Sequence, residues 1–271
     1  MVTVISLYGG KHPSTIPLNP TSWTLFMAFR RLEDLGLWYL TINSMSDLIR
    51  VISSLPKLKS FLTTDIDWAN SNTVGCPPPK RRQGKPRLSR LNLRAYKGNP
   101  SVVVSLMEWF AWSCDMDALT SLEIHIYTMH PCPTLATILQ ECQFPSLTDL
   151  DLEFVPGMLT QSFPDLRLQT VLPHPQSSFH IGGLDFMDIP VLINILSVVP
   201  AGINELVIYI LVEDVTDDYH AQVELLDKAL SKVVSRNCQV RCGVENREVD
   251  DFEYLSGKEF PSLSALGVLY K

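Results

Sequence analysis

The sequence has no apolar run of the roughly 18 to 20 residues that a bilayer crossing takes, so it offers no membrane span. Its opening, Met1-Val2-Thr3-Val4-Ile5-Ser6-Leu7, lacks the basic segment and the longer apolar stretch of a secretory leader. No Asn-x-Ser/Thr acceptor has a permitted middle residue, and six cysteines (Cys76, Cys114, Cys132, Cys142, Cys238, Cys242) show no framework spacing. These absences point to free thiols in a reducing compartment, the cytoplasm or the nucleus. Positive charge is short too. Against 29 Asp and Glu stand 22 Lys and Arg, a net charge of −7, so the basic footprint that nucleic acid demands is missing. That balance suits a neutral or basic protein partner.

Signatures of catalysis are also lacking. His180-Ile181-Gly182-Gly183-Leu184-Asp185 has neither a P-loop lysine nor the dinucleotide fingerprint, and its glycines read as easing a strand. Cys238-x-x-x-Cys242, with His220 nearby in sequence, has no second pair to complete four zinc ligands. Carboxylates such as Asp149 and Asp151 on an open sheet stay solvated alike, whereas acid–base work needs separated environments. A decayed α/β hydrolase or transferase would show a nucleophile elbow or a glycine-rich loop after a strand, and neither is found. The expectation is therefore no enzyme, no cofactor and no metal site.

What the chain does contain is a globular composition, 46% hydrophobic and 19% charged, arranged in a repeat. The template Leu-x-x-Leu-x-Leu, with other apolar residues allowed, occurs at Val2/Ile5/Leu7, Leu32/Leu35/Leu37, Leu88/Leu91/Leu93 and Leu119/Leu122/Ile124. It continues at Leu147/Leu150/Leu152, Ile181/Leu184/Phe186, Ile203/Leu206/Ile208 and Leu263/Leu266/Val268, with a looser copy at Leu58/Phe61. Successive starts recur with a period of roughly 30 residues, a step that accommodates one strand and one covering helix. The last step is about twice as wide. It leaves room for a degenerate unit with a strand around Cys238 to Cys242, and a weak copy lies near Phe163 to Leu168 without a fixed register.

Alternate side chains of a strand share a face, so the second and third template residues enter the core together. Helices are expected over Met45–Ser54, Ser101–Ser113, Thr134–Cys142, Pro190–Val199 and Tyr219–Ser235. Leu55-Pro56-Lys57-Leu58, Phe144-Pro145-Ser146-Leu147 and Phe260-Pro261-Ser262-Leu263 each place proline where a helix ends and a strand is expected to begin. A doubly wound α/β sheet also alternates strand and helix, but its strands are buried on both faces. Here the strands are polar on one side, as in Leu150-Asp151-Leu152-Glu153 and Leu122-Glu123-Ile124-His125. The expected architecture is a single α/β domain over 1–271. It is a right-handed leucine-rich-repeat solenoid, a horseshoe with a curved parallel sheet on the concave face and helices on the convex face. A Pro/basic insertion loop over about 69–87 interrupts it.

Phe-Pro-Ser-Leu before Leu-x-x-Leu-x-Leu, in repeats of irregular length, resembles the leucine-rich-repeat portions of F-box proteins, above all the large, divergent sets of basidiomycete fungi. Ser46-Asp47-Leu48-Ile49-Arg50 leading through Leu55-Pro56-Lys57-Leu58 to Asp65-Ile66-Asp67-Trp68, and Pro86-Arg87-Leu88-Ser89-Arg90-Leu91-Asn92-Leu93, are similar to that group. Two departures stand out. The helical F-box, which in the family docks an adaptor of a ubiquitin ligase, is not present in this sequence. There is also no asparagine ladder: the eighth position past the template starts holds Gly10, Leu40, Tyr96, Tyr127, Val155, Ile189 and Leu211. The resemblance implies a substrate-recruiting surface that meets a ligase adaptor only if an F-box is supplied elsewhere. A non-catalytic scaffold or a truncated remnant is the alternative.

The candidate binding surface is the bare sheet face. Trp38, Arg90, Asn92, Arg94, Glu123, His125, Asp149, Asp151, Glu153, Asp185, Glu205 and Tyr209 are expected to project from it, beside Ser121, Gly183, Met187 and Val207. Its middle reads as acidic, with Trp38 and Tyr209 as aromatic anchors of the kind that dominate binding energy. Any solvated sheet face carries charges, so the expectation rests on the rows being contiguous. The basic run Lys80-Arg81-Arg82 with Lys85 and Arg87 resembles a nuclear-localisation signal, although a solvated loop has the same composition. Trp109, Phe110 and Trp112 are expected to pack a helix onto the sheet.

Overall fold

The computed structural model describes residues 2–9, 24–26, 28–69, 86–129, 132–163, 166, 171–172, 177–185, 188–196, 203–212, 217–234, 238–246, 251–254 and 258–269. The chain divides into two compact units, Met1–Thr128 and Met129–Lys271. Most of the insertion loop, including Cys76 and Lys80 to Lys85, falls outside the described residues, as do Phe186 and Met187.

In the first unit, strands β1 (Val4–Tyr8), β2 (Asp34–Trp38), β4 (Ser60–Thr64), β6 (Arg90–Ala95) and β7 (Ser121–Ile126) form a parallel sheet in the order in which the chain meets them. Two residues each of β3 (Thr41–Ile42) and β5 (Asp67–Trp68) pair in a second, small parallel sheet. Helix α1 is Met45–Ser53 and α2 is Pro100–Ser113. Register is set by the apolar alternation. Ile5, Leu35, Phe61, Leu91 and Leu122 align across the five strands, as do Leu7, Leu37, Thr63, Leu93 and Ile124. A slip of one residue would turn each of these side chains onto the other face.

Successive strands of the first unit are joined by a recurring backbone device. The carbonyl of the residue just before a strand accepts two N–H groups from the next coil. Thr3 takes them from Glu33 and Asp34, Glu33 from Lys59 and Ser60, Lys59 from Ser89 and Arg90, and Ser89 from Thr120 and Ser121, at 2.7–3.1 Å. The residue after β2 and after β4, Tyr39 (φ 55°) and Asp65 (φ 49°), is left-handed in both cases and turns the chain off the sheet towards β3 and β5. Asp65 then closes its coil onto the next, for its Oδ1 accepts from the backbone N–H groups of Tyr96, Lys97 and Gly98 at 2.6, 2.8 and 3.0 Å.

Each helix starts where its sequence supplies a cap. Ser44 Oγ accepts from the Asp47 N–H at the head of α1, and Asn99 Oδ1 from the Ser101 N–H ahead of Pro100 in α2. Phe110 of α2 meets Phe61 of the apolar strand row at 5.3 Å between ring centroids, as the aromatic run in the sequence leads one to expect. Trp112 instead faces solvent.

In the second unit, β8 (Asp149–Phe154), β9 (Ser178–Leu184), β10 (Glu205–Val212) and β11 (Gln239–Asn246) run parallel in chain order, and β12 (Asp251–Tyr254) adds antiparallel to β11. Helices α3 (Pro133–Glu141), α4 (Met158–Ser162), α5 (Ile189–Leu196), α6 (Asp217–Val233) and α7 (Pro261–Leu266) alternate with them. The protein is thus α/β, with nine parallel main-sheet strands among the described residues, five in the first unit and four in the second.

Two sequence expectations fail here. The template copy at Ile181/Leu184/Phe186 is out of register. Phe179 and Ile181 are the residues that align with Leu150 and Leu152 of β8 and with Leu206 and Ile208 of β10. Three residues before Phe179 the sequence holds the polar Gln176, which breaks the apolar template, so the pattern slid to the next apolar triplet. With the register corrected, Leu150, Phe179, Leu206 and Val240 recur with a period of roughly 30 residues, as one strand and one helix per coil require. The copy at Leu263/Leu266/Val268 is also no strand, because Leu263 and Leu266 lie on α7 and only Leu269 bridges to Val240. Proline has two uses in these tags. In Leu55-Pro56-Lys57-Leu58 and Phe144-Pro145-Ser146-Leu147 it sits in a turn closed by an i+3 N–H at 3.1 Å, whereas Pro261 opens a helix.

Two buried carboxylates secure the second unit. Asp188, with no solvent exposure, accepts from the N–H groups of Gly157, Thr160 and Asp185 and from the Thr160 hydroxyl, at 2.8–3.1 Å. Asp227 on α6, 1% exposed, accepts from the N–H groups of Ser262 and Leu263 at the head of α7. Replacing a buried acceptor leaves its donors unsatisfied, at about 1–3 kcal/mol for the first and more for charged partners. Asp188→Ala is expected to lower unfolding free energy by about 3 kcal/mol, read as a reduced urea midpoint at unchanged slope. An unchanged midpoint would show that Asp188 does not hold these coils together.

Candidate functional site

On the face opposite the apolar rows, register brings side chains of the first unit into cross-strand rows. Val4, Asp34, Ser60, Arg90 and Ser121 form one, Ser6, Gly36, Leu62, Asn92 and Glu123 the second, and Tyr8, Trp38, Thr64, Arg94 and His125 the third. Adjacent members lie about 4.8 Å apart along the sheet, so neighbours on this face interact directly.

At one end of the third row the rings of Tyr8 and Trp38 stack almost parallel, 4.6 Å apart at 6°. The indole lies back along its own strand over Gly36, where any Cβ would run into the ring. Glycine is required there by close approach, not by an unusual φ. At the other end, Glu123 accepts from Asn92 Nδ2 and Arg94 Nη2, and His125 Nε2 stands 3.2 Å from its Oε1. Burial disfavours the Arg94 charge, but Glu123 and Tyr96 outweigh it and raise its pKa above the ordinary arginine value. Tyr96 and Tyr127, just past the strands, stack at 4.7 Å, and His125 meets Tyr127 edge-on at 6.3 Å. These tyrosines occupy the position where the sequence shows no asparagine ladder. Their regular spacing was the available signal, and the sequence reading passed over it as a site feature.

In the second unit, Asp149, Ser178, Glu205 and Gln239 align across the sheet, followed by Asp151, His180, Val207 and Arg241. Glu205 stands 3.7 Å from His180 Nε2 and 3.4 Å from Arg241 Nη2. His180, weighed in the sequence only as part of a glycine-containing loop, and Arg241, not singled out there, reach this face through the corrected register. Between β9 and β10, Gly182 and Gly183 stand against the single residue Tyr209, a β-bulge. Gly183 has φ +71°, and a Cβ there would collide with the Phe154 carbonyl oxygen. A Cβ at Gly182 would lie 3.1 Å from Glu153 Cγ and 3.5 Å from the Tyr209 ring, so those two side chains flank the bulge.

Of the expected face residues, Trp38, Arg90, Asn92, Arg94, Glu123 and His125 share the first-unit face, and Asp149, Asp151, Glu153, Glu205 and Tyr209 stand on strands of the second. Asp185 does not belong with them. It lies past the end of β9, and its N–H donates to Asp188. Gly183 serves the bulge and Val207 is buried. The acidic character expected of the strip is reduced accordingly, since Glu123 and Glu205 each face cationic or donor groups of their own unit. Asn92, only 3% exposed, offers little contact area to a partner. Among the described residues no helix is long and apolar enough to cross a membrane. No family model matches the chain, and neither a curated protein nor a solved structure matches it.

Cys242 takes a core position beside Ile208, and Cys238 lies buried just before β11. Burial pushes the Cys238 thiol up to about 11, with Glu205 adding to it, and pushes Cys142 to about 11, with Glu141 adding. Cys242 is raised as well, again chiefly by burial. A folded-state pKa above the unfolded one gives stability that is complete below the ordinary thiol value and lost as pH climbs through the folded value. Native Cys238 is therefore expected to resist iodoacetamide at pH 8 and to label readily in urea, as peptide mapping would show; equal labelling in both states would contradict its burial. Glu123→Ala is expected to cost about 2 kcal/mol by stranding half-buried Arg94, and the exposed Asp149→Ala less than about 0.5, both read from urea midpoints.

Proposed function

We propose that the chain is a right-handed leucine-rich-repeat solenoid whose sheet lines a concave face, and that this face binds a protein client. Three features support the solenoid: the strand order without reversal, the near-regular recurrence of aligned core positions, and the repeated double-acceptor carbonyl. The observation that carries the binding reading is the Tyr8–Trp38 stack on the sheet face opposite the apolar rows. Large, rigid aromatic surface beside polar rows is what anchors protein interfaces. By the same reading the chain acts as a binding module and not an enzyme. Its role resembles that of the substrate-recognition arm of an F-box protein, bringing a client to a ubiquitin ligase where an F-box is supplied, in the cytoplasm or nucleus.

The client carries basic side chains. Asp149, Asp151 and Glu153 occupy alternate positions of β8, so three acidic residues share one face of a single strand, which favours a partner of opposite charge. Nucleic acid is a poor partner for a chain of net charge −7. Affinity capture on the immobilised chain, with the retained protein identified by mass spectrometry and its Kd then measured by calorimetry, tests the reading. Trp38→Ala and the exposed Asp149→Lys are each expected to weaken binding about tenfold or more, with Tm measured beside Kd to separate lost contact from lost stability. A client held equally by both variants would mean that another surface binds it. Glu123→Lys makes a poor probe, because it breaks the internal bonds to Asn92 and Arg94.

A further inference from the structure

We infer that β1 is a pairing edge for a second copy of this chain, joined antiparallel about Ser6. Among the described residues β1 has one strand neighbour, β2. The Thr3 carbonyl accepts from Glu33 and Asp34, and the Gly9 N–H donates to the Trp38 carbonyl. Odd-numbered residues of this strand therefore turn their backbone groups towards β2. Alternation along a strand then directs the N–H and C=O groups of Val4, Ser6 and Tyr8 outwards.

Proteins blunt such edges with charge, proline or a bulge. Val4-Ile5-Ser6-Leu7-Tyr8 has no charged residue and no proline. The terminal strand of the second unit, Asp251-Phe252-Glu253-Tyr254, carries two acidic residues in four. Val4 is 59% exposed and Tyr8 64%, and Val2 is exposed beside them. On the core side, Ile5 and Leu7 are only half-buried, whereas Leu35 and Leu37, aligned with them on β2, are 2% and 0% exposed. Apolar surface is left over on both faces of this one strand.

A second copy fits the edge by symmetry. A two-fold axis through Ser6 sets Ser6 against its own counterpart and Val4 against Tyr8 of the other copy. All three outward-facing residues then fall in hydrogen-bonded pairs of an antiparallel ladder. Each outer pair opposes a β-branched side chain to an aromatic ring, one of the favourable cross-strand combinations, and no like charges meet. The contact is isologous, the usual form of a closed dimer. So short a ladder buries far less surface than the standard-size interface of a stable complex, so association is weak and concentration-dependent. It shares Tyr8 with the proposed client face but needs no client, so the two readings fail separately.

Sedimentation equilibrium of the full chain, from micromolar to submillimolar loading, tests this. The apparent mass of the wild type is expected to rise from monomer towards dimer. Ser6 is exposed, so Ser6→Lys and Ser6→Glu leave the fold intact, which circular dichroism checks. Each variant alone places like charges across the axis and is expected to associate about tenfold more weakly or worse. An equimolar mixture of the two is expected to recover association. A wild type that stays monomeric throughout, variants that associate as the wild type does, or a mixture that remains monomeric would each overturn the proposal.

Discussion

Everything in this fold depends on parallel main-chain pairing between one strand and the next. Ahead of β1, β2, β4 and β6 a single carbonyl takes two amides from the next strand's approach, and the Ser89 and Thr120 hydroxyls add a further donor to the Lys59 and Ser89 carbonyls. Once that carbonyl is fixed, the parity of the strand behind it is fixed as well. Apolar residues must then fall on the second and fourth positions, because a shift of one would put Phe61 or Leu91 in water and Arg94 in the core. The side-chain pattern follows from the backbone constraint, and the open face consists of whatever stands at the other parity.

Polar groups in the interior answer a second requirement, that backbone amides freed where the chain leaves a strand must find acceptors. Asp65 serves three of them with one oxygen. Asp188 does likewise in the second unit, and Asp227, from the middle of a helix, serves the amides at the head of α7. These carboxylates are poor candidates for chemistry, since each is already engaged by the donors it was placed to satisfy. Glu123 and Glu205 behave in kind on the sheet face, where each stands between an arginine and a histidine. Five of the 29 acidic residues are engaged in this way, so the acidic count overstates what a partner would meet.

Most of the architecture was legible. The helices over Met45–Ser53, Pro100–Ser113 and Pro133–Glu141 carry their caps or their prolines in plain sight, and the strands at Leu35, Leu91, Leu122 and Leu150 follow the repeat. Failures came where local pattern and pairing disagree. Ile181/Leu184/Phe186 matches the template letter by letter, yet pairing with β8 selects Phe179 and Ile181, and the polar Gln176 hides the true phase. Phe-Pro-Ser-Leu is ambiguous because proline suits both the first turn of a helix and a tight turn; what makes Pro261 open a helix is Asp227, distant in sequence. The pairings of Glu123 with Asn92 and Arg94, and of Tyr96 with Tyr127, require knowing which strands are neighbours. Composition gave no hint of them.

The uneven length of the connections between strands has an evolutionary consequence. The stretch from Leu35 to its partner Phe61 is shorter than the one from Leu206 to Val240, yet the strands keep the same phase throughout. Residues can therefore be gained or lost in the connecting segments without disturbing the ladder. Lineages carrying such a scaffold are free to drift in length as well as in letters, and position-by-position comparison loses its footing while the hydrogen-bonded framework endures. Likeness between sequences can fade in a chain of this kind long before the plan it is built on does.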